Sequence, residues 1–198
     1  DRPLPAAFGD DARAHGLEAL PVVRFNSMVQ KQGSDAAPVL ANVKAVPPGY
    51  PLRGAIVLAD PARPEGVRAS GSPPRGEAWP DERLAQRLDL KPGDRLVVGE
   101  ATLVVGPSIR QEPEVATGLL SSGPRLLIHA DDLAATNLLQ PGNRATWRLL
   151  VAGPPGGDAL AGFVGRANAG LKAGQRLESV RDVQPEVRQT LDRADQFL

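Results

Sequence analysis

The feature that most limits what this chain can become is its punctuation, with 20 prolines and 21 glycines among 198 residues. Proline stands at about twice its usual ~5% share. Each proline fixes φ and removes a backbone donor, so many prolines mean many turns and many strand boundaries. Between the breaks the chain is apolar enough to fold, since hydrophobic residues make up 41% of it. A chain of this length is long enough for one large domain or two small ones.

The apolar pattern between the breaks predicts the following elements. A helix is expected over 6–15, stopped by Gly16. A strand over 20–29 carries Val22, Val23, Phe25 and Val29, and a strand over 39–46 alternates Val39, Ala41, Val43 and Ala45 against Asn42 and Lys44. This alternation is that of a half-buried strand, and the polar turn 31–38 makes the two strands an antiparallel hairpin. A strand over 52–58 follows, then a Pro-, Gly-, Arg- and Ser-rich loop over 60–76, and a short extended piece at Glu77–Trp79. A helix over 81–88 has Leu84, Ala85 and Leu88 on one face; Leu90-Lys91-Pro92-Gly93-Asp94 turns the chain into strands 95–98 and 101–105. Such helix–LxxGD–strand units belong to β-rich architecture. A loop covers 115–123, a strand 125–129, and a helical turn 130–136. A strand over 144–152 holds Ala145, Trp147, Leu149 and Val151 on one face. A helix from Asp158 to about Leu171 presents Leu160, Ala161, Val164, Ala167 and Leu171, and Leu177–Val180 is a final strand. Beyond Pro185, the spacing of Val187, Leu191, Ala194 and Leu198 marks a helix with no stop signal, so the helix is expected to run on past this sequence.

The pattern gives an α+β fold in two lobes. The outer lobe, 1–58 plus 144–198, reads as a discontinuous split-βαβ unit lacking its first strand. The inner lobe, 59–143, reads as an inserted β-rich unit.

Charge and composition exclude several functions. The 23 basic residues balance 23 acidic ones, and aromatics are four Phe, two Trp and one Tyr. The only lysines, Lys31, Lys44, Lys91 and Lys172, form no basic stripe, so a nucleic-acid partner is not expected. With no cysteine there is no disulfide framework, thiolate metal site or Cys nucleophile.

The residues that could carry chemistry have plainer roles open to them. His15 and His129 are the only histidines; Asp131 and Asp132 follow the second, but neither HxH nor HExxH spacing exists. Ser121 or Ser122 with His129 and Asp131 could be drawn as a triad, yet Ser121-Ser122-Gly123-Pro124 is a turn composition without the GxSxG elbow. Gly153-Pro154-Pro155-Gly156-Gly157 precedes a helix as phosphate loops do, but its prolines remove donors and its spacing is wrong. Asp10-Asp11 and Asp131-Asp132 are sequence neighbours, which on a helix point about 100° apart and make no dyad. No catalytic, cofactor-binding or metal-binding residue is therefore expected, and no enzyme activity.

Several segments in order carry a resemblance. They are Val22-Val23-Arg24-Phe25-Asn26-Ser27-Met28; Val43-Lys44-Ala45-Val46 with Tyr50-Pro51-Leu52-Arg53-Gly54; Glu77-Ala78-Trp79 with the LxxGD unit; Pro141-Gly142-Asn143-Arg144 before Trp147-Arg148-Leu149-Leu150; and Gly174-Gln175-Arg176-Leu177 with Val180-Arg181-Asp182. This resembles the periplasmic, MacB-like core of ABC-transporter permeases of the FtsX/MacB class, and is most similar to the YbbP-type permeases. The Lys44-Ala45-Val46 and Tyr50-to-Gly54 run is the most specific part.

The resemblance implies a domain between the first and second transmembrane helices of a permease subunit, at the periplasmic face of the bacterial inner membrane. It implies a porter-like lobe from the two chain ends and an inserted sabre-like lobe, and it places the family's first strand before Asp1. It also implies that a separate ATP-binding subunit drives the domain by mechanotransmission, to bind, extract or export a client that can be hydrophobic or lipid-like. A second permease copy and a periplasmic esterase or lipase are the other partners implied. Two further readings compete: a stand-alone soluble β-barrel protein binding a small molecule or peptide, suggested by the LxxGD unit, and an esterase-like hydrolase using Ser122 and His129.

Overall fold

The computed structural model describes residues 3–113, 123–140, 144–154 and 158–178. In chain order the elements are α1 (Ala6–Ala14), β1 (Glu18–Lys31), β2 (Val39–Val46), β3 (Val57–Asp60), β4 (Arg63–Arg68), β5 (Glu77–Pro80), α2 (Glu82–Arg87), β6 (Arg95–Val98), β7 (Ala101–Val105), β8 (Ile109–Gln111), β9 (Arg125–His129), β10 (Ala145–Ala152) and α3 (Asp158–Gly170). Two 3-10 turns, Ala130–Asp132 and Ala134–Thr136, follow β9. The α+β class expected from the sequence is what the chain adopts.

Seven strands form one sheet in the order β10-β1-β2-β9-β5-β7-β6, and β6 returns to pair with β1. Six of the seven thus close into a barrel, with β10 outside the ring. Closure depends on the length of β1. Its residues 18–25 pair with β10, 23–29 with β2, and 29–31 with β6. Pro21 lies where β1 has β10 on one side and β2 has not yet begun, a stretch with a neighbour on one side only, where a missing donor is tolerated. The predicted strand 20–29 is therefore longer at both ends than the apolar pattern alone suggests.

The barrel interior is filled by side chains of alternate residues. Val23, Phe25, Val29, Val43, Leu96, Val98, Leu103, Val105, Leu126 and Ile128 point inward, and Leu84, Leu88 and Leu90 of the α2 region plug the barrel. A second apolar layer lies on the outer wall, where Val22, Val46, Tyr50, Trp79 and Leu127 meet Ile56 and Ile109. The three-stranded sheet β4-β3-β8 closes over this layer. A third layer covers the part of β1 and β10 that overhangs the barrel. There α1 and α3 place Ala12, Phe163 and Ala167 on Ala19, Leu149 and Val151. Arg166 of α3 clamps Asp11 of α1 through three contacts of 3.1 Å.

The helix–LxxGD–strand unit is built as read. Asp81 caps α2 by accepting from the Leu84 N–H at 2.9 Å. Gly93 takes φ +94 in a turn closed by Asp94 N–H on Lys91 C=O at 3.0 Å. The Asp94 carboxylate accepts from Lys91 N–H at 2.7 Å and pairs with Lys31 at the end of β1, also 2.7 Å. The Lys31 contact, aided by the Lys91 N–H, holds Asp94 below the ordinary carboxylate range.

Several expectations need correction. Residues 52–56 are not a strand; Gly54 turns at φ +79 against Pro113, and pairing starts only at Val57. Ile56 is buried in the outer layer instead. The loop 60–76 contains β4, an exposed edge strand with no inward face to announce it. The buried face of α3 is Phe163 and Ala167, while Leu160 is exposed, because α3 is apolar on more than one side and α1 and β10 select the Phe163 side. Leu177 and Glu178 are not in a strand; Leu177 packs on the helical layer. The rest of that predicted strand and the helix beyond Pro185 lie outside the described residues. Strand pairing runs across position 58/59, with β2 on β9 and β1 on β6.

Gly93→Val forces a β-branched residue into φ +94 and is expected to lower unfolding free energy by ~1–3 kcal/mol in urea denaturation. An unchanged midpoint would mean the turn does not depend on glycine.

Candidate functional site: a buried charge network on the barrel wall

The residues singled out for chemistry are held in structural roles. The ring of His129 is buried, and its Nδ1 accepts from the Asp131 N–H at 3.1 Å, capping the first 3-10 turn. Asp131 lies near Arg75 at 3.7 Å, and Asp132 accepts from Gly76 N–H at 2.7 Å. His15 sits at the exposed end of α1, with Nδ1 2.8 Å from the Asp11 C=O. Asp10 pairs with Arg13, and Asp11 with Arg166. The two histidines are not brought together, and no group of three His, Cys, Asp or Glu gathers among the described residues. Ser121, Ser122 and Pro155 to Gly157 lie outside them. Gly153 is described; its C=O accepts from Arg53 at 2.9 Å.

The structure instead singles out five residues that the search for catalytic patterns passes over. Lys44 lies on the outward row of β2, where alternation with Asn42 predicts a solvated side chain. It is buried, as is Glu112, each only 6% exposed. The segment after β2 and the small sheet cover this part of the wall. Lys44 Nζ donates to Glu112 Oε1 at 2.8 Å and to the Tyr50 hydroxyl at 2.5 Å. The Tyr50 hydroxyl donates in turn to Glu112 Oε1 at 2.5 Å. On the other carboxylate oxygen, Arg125 Nη1 stands 3.7 Å from Glu112 Oε2, and Arg125 Nε reaches Asp81 Oδ2 at 3.4 Å. Asp81 is the cap of α2, so the network joins β2, the loop after it, the residue after β8, β9 and α2.

The charges in this network sum to zero, with Lys44 and Arg125 against Glu112 and Asp81. Burial pushes the Glu112 carboxyl up, but Lys44, Tyr50 and Arg125 outweigh it and hold the group below its ordinary value. An ion pair this enclosed has no face open to a substrate. Its chemistry is attachment: two hydrogen bonds tie Glu112 at the end of β8 to Lys44 of β2 and to Tyr50, and a third joins Lys44 to Tyr50. Such pairs contribute little net stability compared with an apolar replacement, but breaking one side is costly.

The sequence held one signal for this site. Lys44 and Tyr50 both fall in the run that carries the family resemblance most specifically. Nothing marked Glu112, 68 residues further on, as their partner.

Two further features bear on binding. A shallow concavity lined by Ala130, Leu133, Ala134, Asn137 and Leu139 carries no titratable side chain. On the barrel's outer face Met28 and Leu40 stand opposite each other across β1 and β2, and both are more than half exposed. No helix among the described residues is long and apolar enough to cross a membrane.

Glu112→Ala leaves the Lys44 charge buried without its carboxylate and should cost ~3–5 kcal/mol, whereas Lys44→Met with Glu112→Leu should be near neutral or stabilising. Urea denaturation of the three proteins tests this; equal losses would mean the pair is not an enclosed ion pair. The pH dependence follows from the lowered carboxyl. The stability due to Glu112 is fully present above its ordinary pKa of 4.5 and is lost as pH falls below that toward the lower folded-state value. Glu112→Gln should flatten the decline of stability on the acid side, and an unaltered slope would remove Glu112 from the cause.

No family model matches the chain. Among solved structures, a domain assigned to a permease of Porphyromonas gingivalis aligns over 83% of this chain and 80% of its own, with a TM-score of 0.49 and 14% identity. In sequence, the chain is 31% identical over 197 residues to the uncharacterised ABC transporter permease YbbP of Escherichia coli (strain K12), and it spans 23% of that protein's length. The match takes in 100% of this chain, including the Lys44 and Tyr50 run, and end to end the chain is thus a relative of a segment of a YbbP-type ABC transporter permease.

Proposed function

We propose that the chain is the extracytoplasmic domain of an ABC transporter permease subunit, placed on the periplasmic side of the inner membrane. Under this reading it couples transmembrane motion driven by a separate ATP-binding subunit to the binding, extraction or export of a client. The observation that carries it is the 31% identity, over the whole of this chain, to a segment that makes up 23% of a permease. The enclosed charge network supports it, because a module that transmits movement needs its elements tied together rather than an open active site. A hydrophobic or lipid-like client, a second permease copy and an esterase-type partner belong to the same proposal. In chain order, 1–58 with 144–198 form the porter-like unit and 59–143 the inserted sabre-like unit, although their strands share one barrel wall.

The alternative, a stand-alone barrel that binds a small molecule or peptide, is favoured by one observation, the closed barrel with its LxxGD unit. Its interior, however, is taken up by the chain's own Val, Leu, Ile and Phe side chains.

The chain has no cysteine, which makes a labelling test direct. Met28→Cys in the full-length permease, in a background with no other reactive thiol, should react with a membrane-impermeant maleimide in intact spheroplasts. Labelling only after lysis would put the domain on the cytoplasmic side and overturn the proposal.

A further inference from the structure

The three-stranded sheet is weakly anchored to the barrel. All four residues of β3 are only half-buried, β4 is mostly exposed, and of the three residues of β8 only Ile109 is buried. Its apolar hold on the barrel comes from Ile109, with Leu58 and Ala69 partly buried beside it. Among the described residues its backbone is bridged to the barrel between Ile109 and Asp81. Arg110 reaches Glu82 at 3.4 Å, but both side chains are exposed, so the pair is screened by solvent. Against these weak ties stands Glu112, the residue after β8, whose carboxylate is locked by Lys44 and Tyr50 inside the barrel wall layer.

We propose that Glu112 is a latch: its bonds to Lys44 and Tyr50 hold the β3-β4-β8 sheet shut over the barrel's outer apolar layer, and the sheet is a flap that opens when those bonds are broken. The geometry gives the latch its selectivity. Lys44 belongs to β2 and Tyr50 to the segment just after it, both fixed to the barrel. Glu112 belongs to the flap. Breaking their contact removes no residue from the barrel interior, so the barrel persists when the flap lifts. Opening would uncover Val22, Val46, Trp79 and Leu127, an apolar surface on the wall. Charge is what makes the contact conditional. An apolar plug in the same place would stay shut in any environment, whereas a salt bridge gives way when one partner is neutralised or drawn to another charge. The inference rests on the geometry and stands whether or not the chain works in a permease.

Hydrogen exchange of the 198-residue chain, read as protection factors by mass spectrometry, tests it. In Glu112→Gln the amides of 57–60, 65–68 and 109–111 should exchange at least tenfold faster, while those of 42–46 and 125–129 stay as in the parent chain. Lys44→Met with Glu112→Leu, which replaces the ion pair by an apolar contact, should restore the protection of the flap. Tyr50→Phe keeps the ion pair and removes the hydroxyl's bonds to Glu112 and from Lys44, only the first of which crosses to the flap, so it should show the same local pattern with a smaller factor, and it serves the test if Glu112→Gln does not fold. Uniform acceleration across barrel and flap, or no acceleration in the flap, overturns the latch.

Discussion

Everything else in this molecule depends on one strand having three partners. β1 binds β10 along its first half, β2 along its middle and β6 at its end. Without the last of these contacts the sheet would be open, and its inward row of Val, Leu and Ile would have no enclosed volume to fill. With it, six strands drawn from residues 18 to 129 share one interior. Chain closure also disposes of strand edges, which in an open sheet would present unpaired backbone groups to other chains.

Once the barrel is closed, the rest of the chain is disposed around it in two shells on opposite sides of the β1 wall. Alternation along β1 sends Val22 to one side and Ala19 and Val23 to the other, so the wall is apolar on both faces. The helical shell takes the overhang of β1 and β10. The small sheet takes the outer wall, and there a buried lysine has to be accommodated. Close approach is demanded at the same wall: a side chain at Gly106 would come within 2.5 Å of Trp79, whose Nε1–H donates to Glu77 at 2.6 Å. This shell is held by shape and by charge together, whereas the helical shell relies on Phe163, Ala167 and the Arg166 clamp on Asp11.

Local chemistry made part of this legible in the sequence. The β1–β2 hairpin, α2 with its Asp81 cap and the Pro92-Gly93 turn follow from alternation, capping and turn residues within a few positions of each other. What was not legible is what depends on distant partners. Closure of β1 on β6 joins residues about 65 positions apart and leaves no periodic trace. Lys44 shares the polar row of β2 with Asn42 and so reads as solvated, and its counter-charge Glu112 lies far along the chain. β4 has no buried face, so its pairing with β3 could not be read from apolar spacing. α3 is apolar on several sides, and the choice of Phe163 over Leu160 was made by its neighbours. Among the candidate catalytic residues, His129 caps the turn that follows it through the Asp131 N–H, while Asp132 binds the distant Gly76 N–H, a contact with no local signal.

The length of β1 has a consequence of another kind. At ~3.3 Å per residue its 14 residues can extend roughly 43 Å. One end is gripped by α1, α3 and β10, and the other is pinned through Lys31 to Asp94 at the LxxGD turn. The strand is continuous from Glu18 to Lys31, and neighbouring strands pair with it on the way. Under the proposed coupling role it would serve as a spar: displacement imposed on the helical shell would reach the far rim of the barrel through one continuous strand.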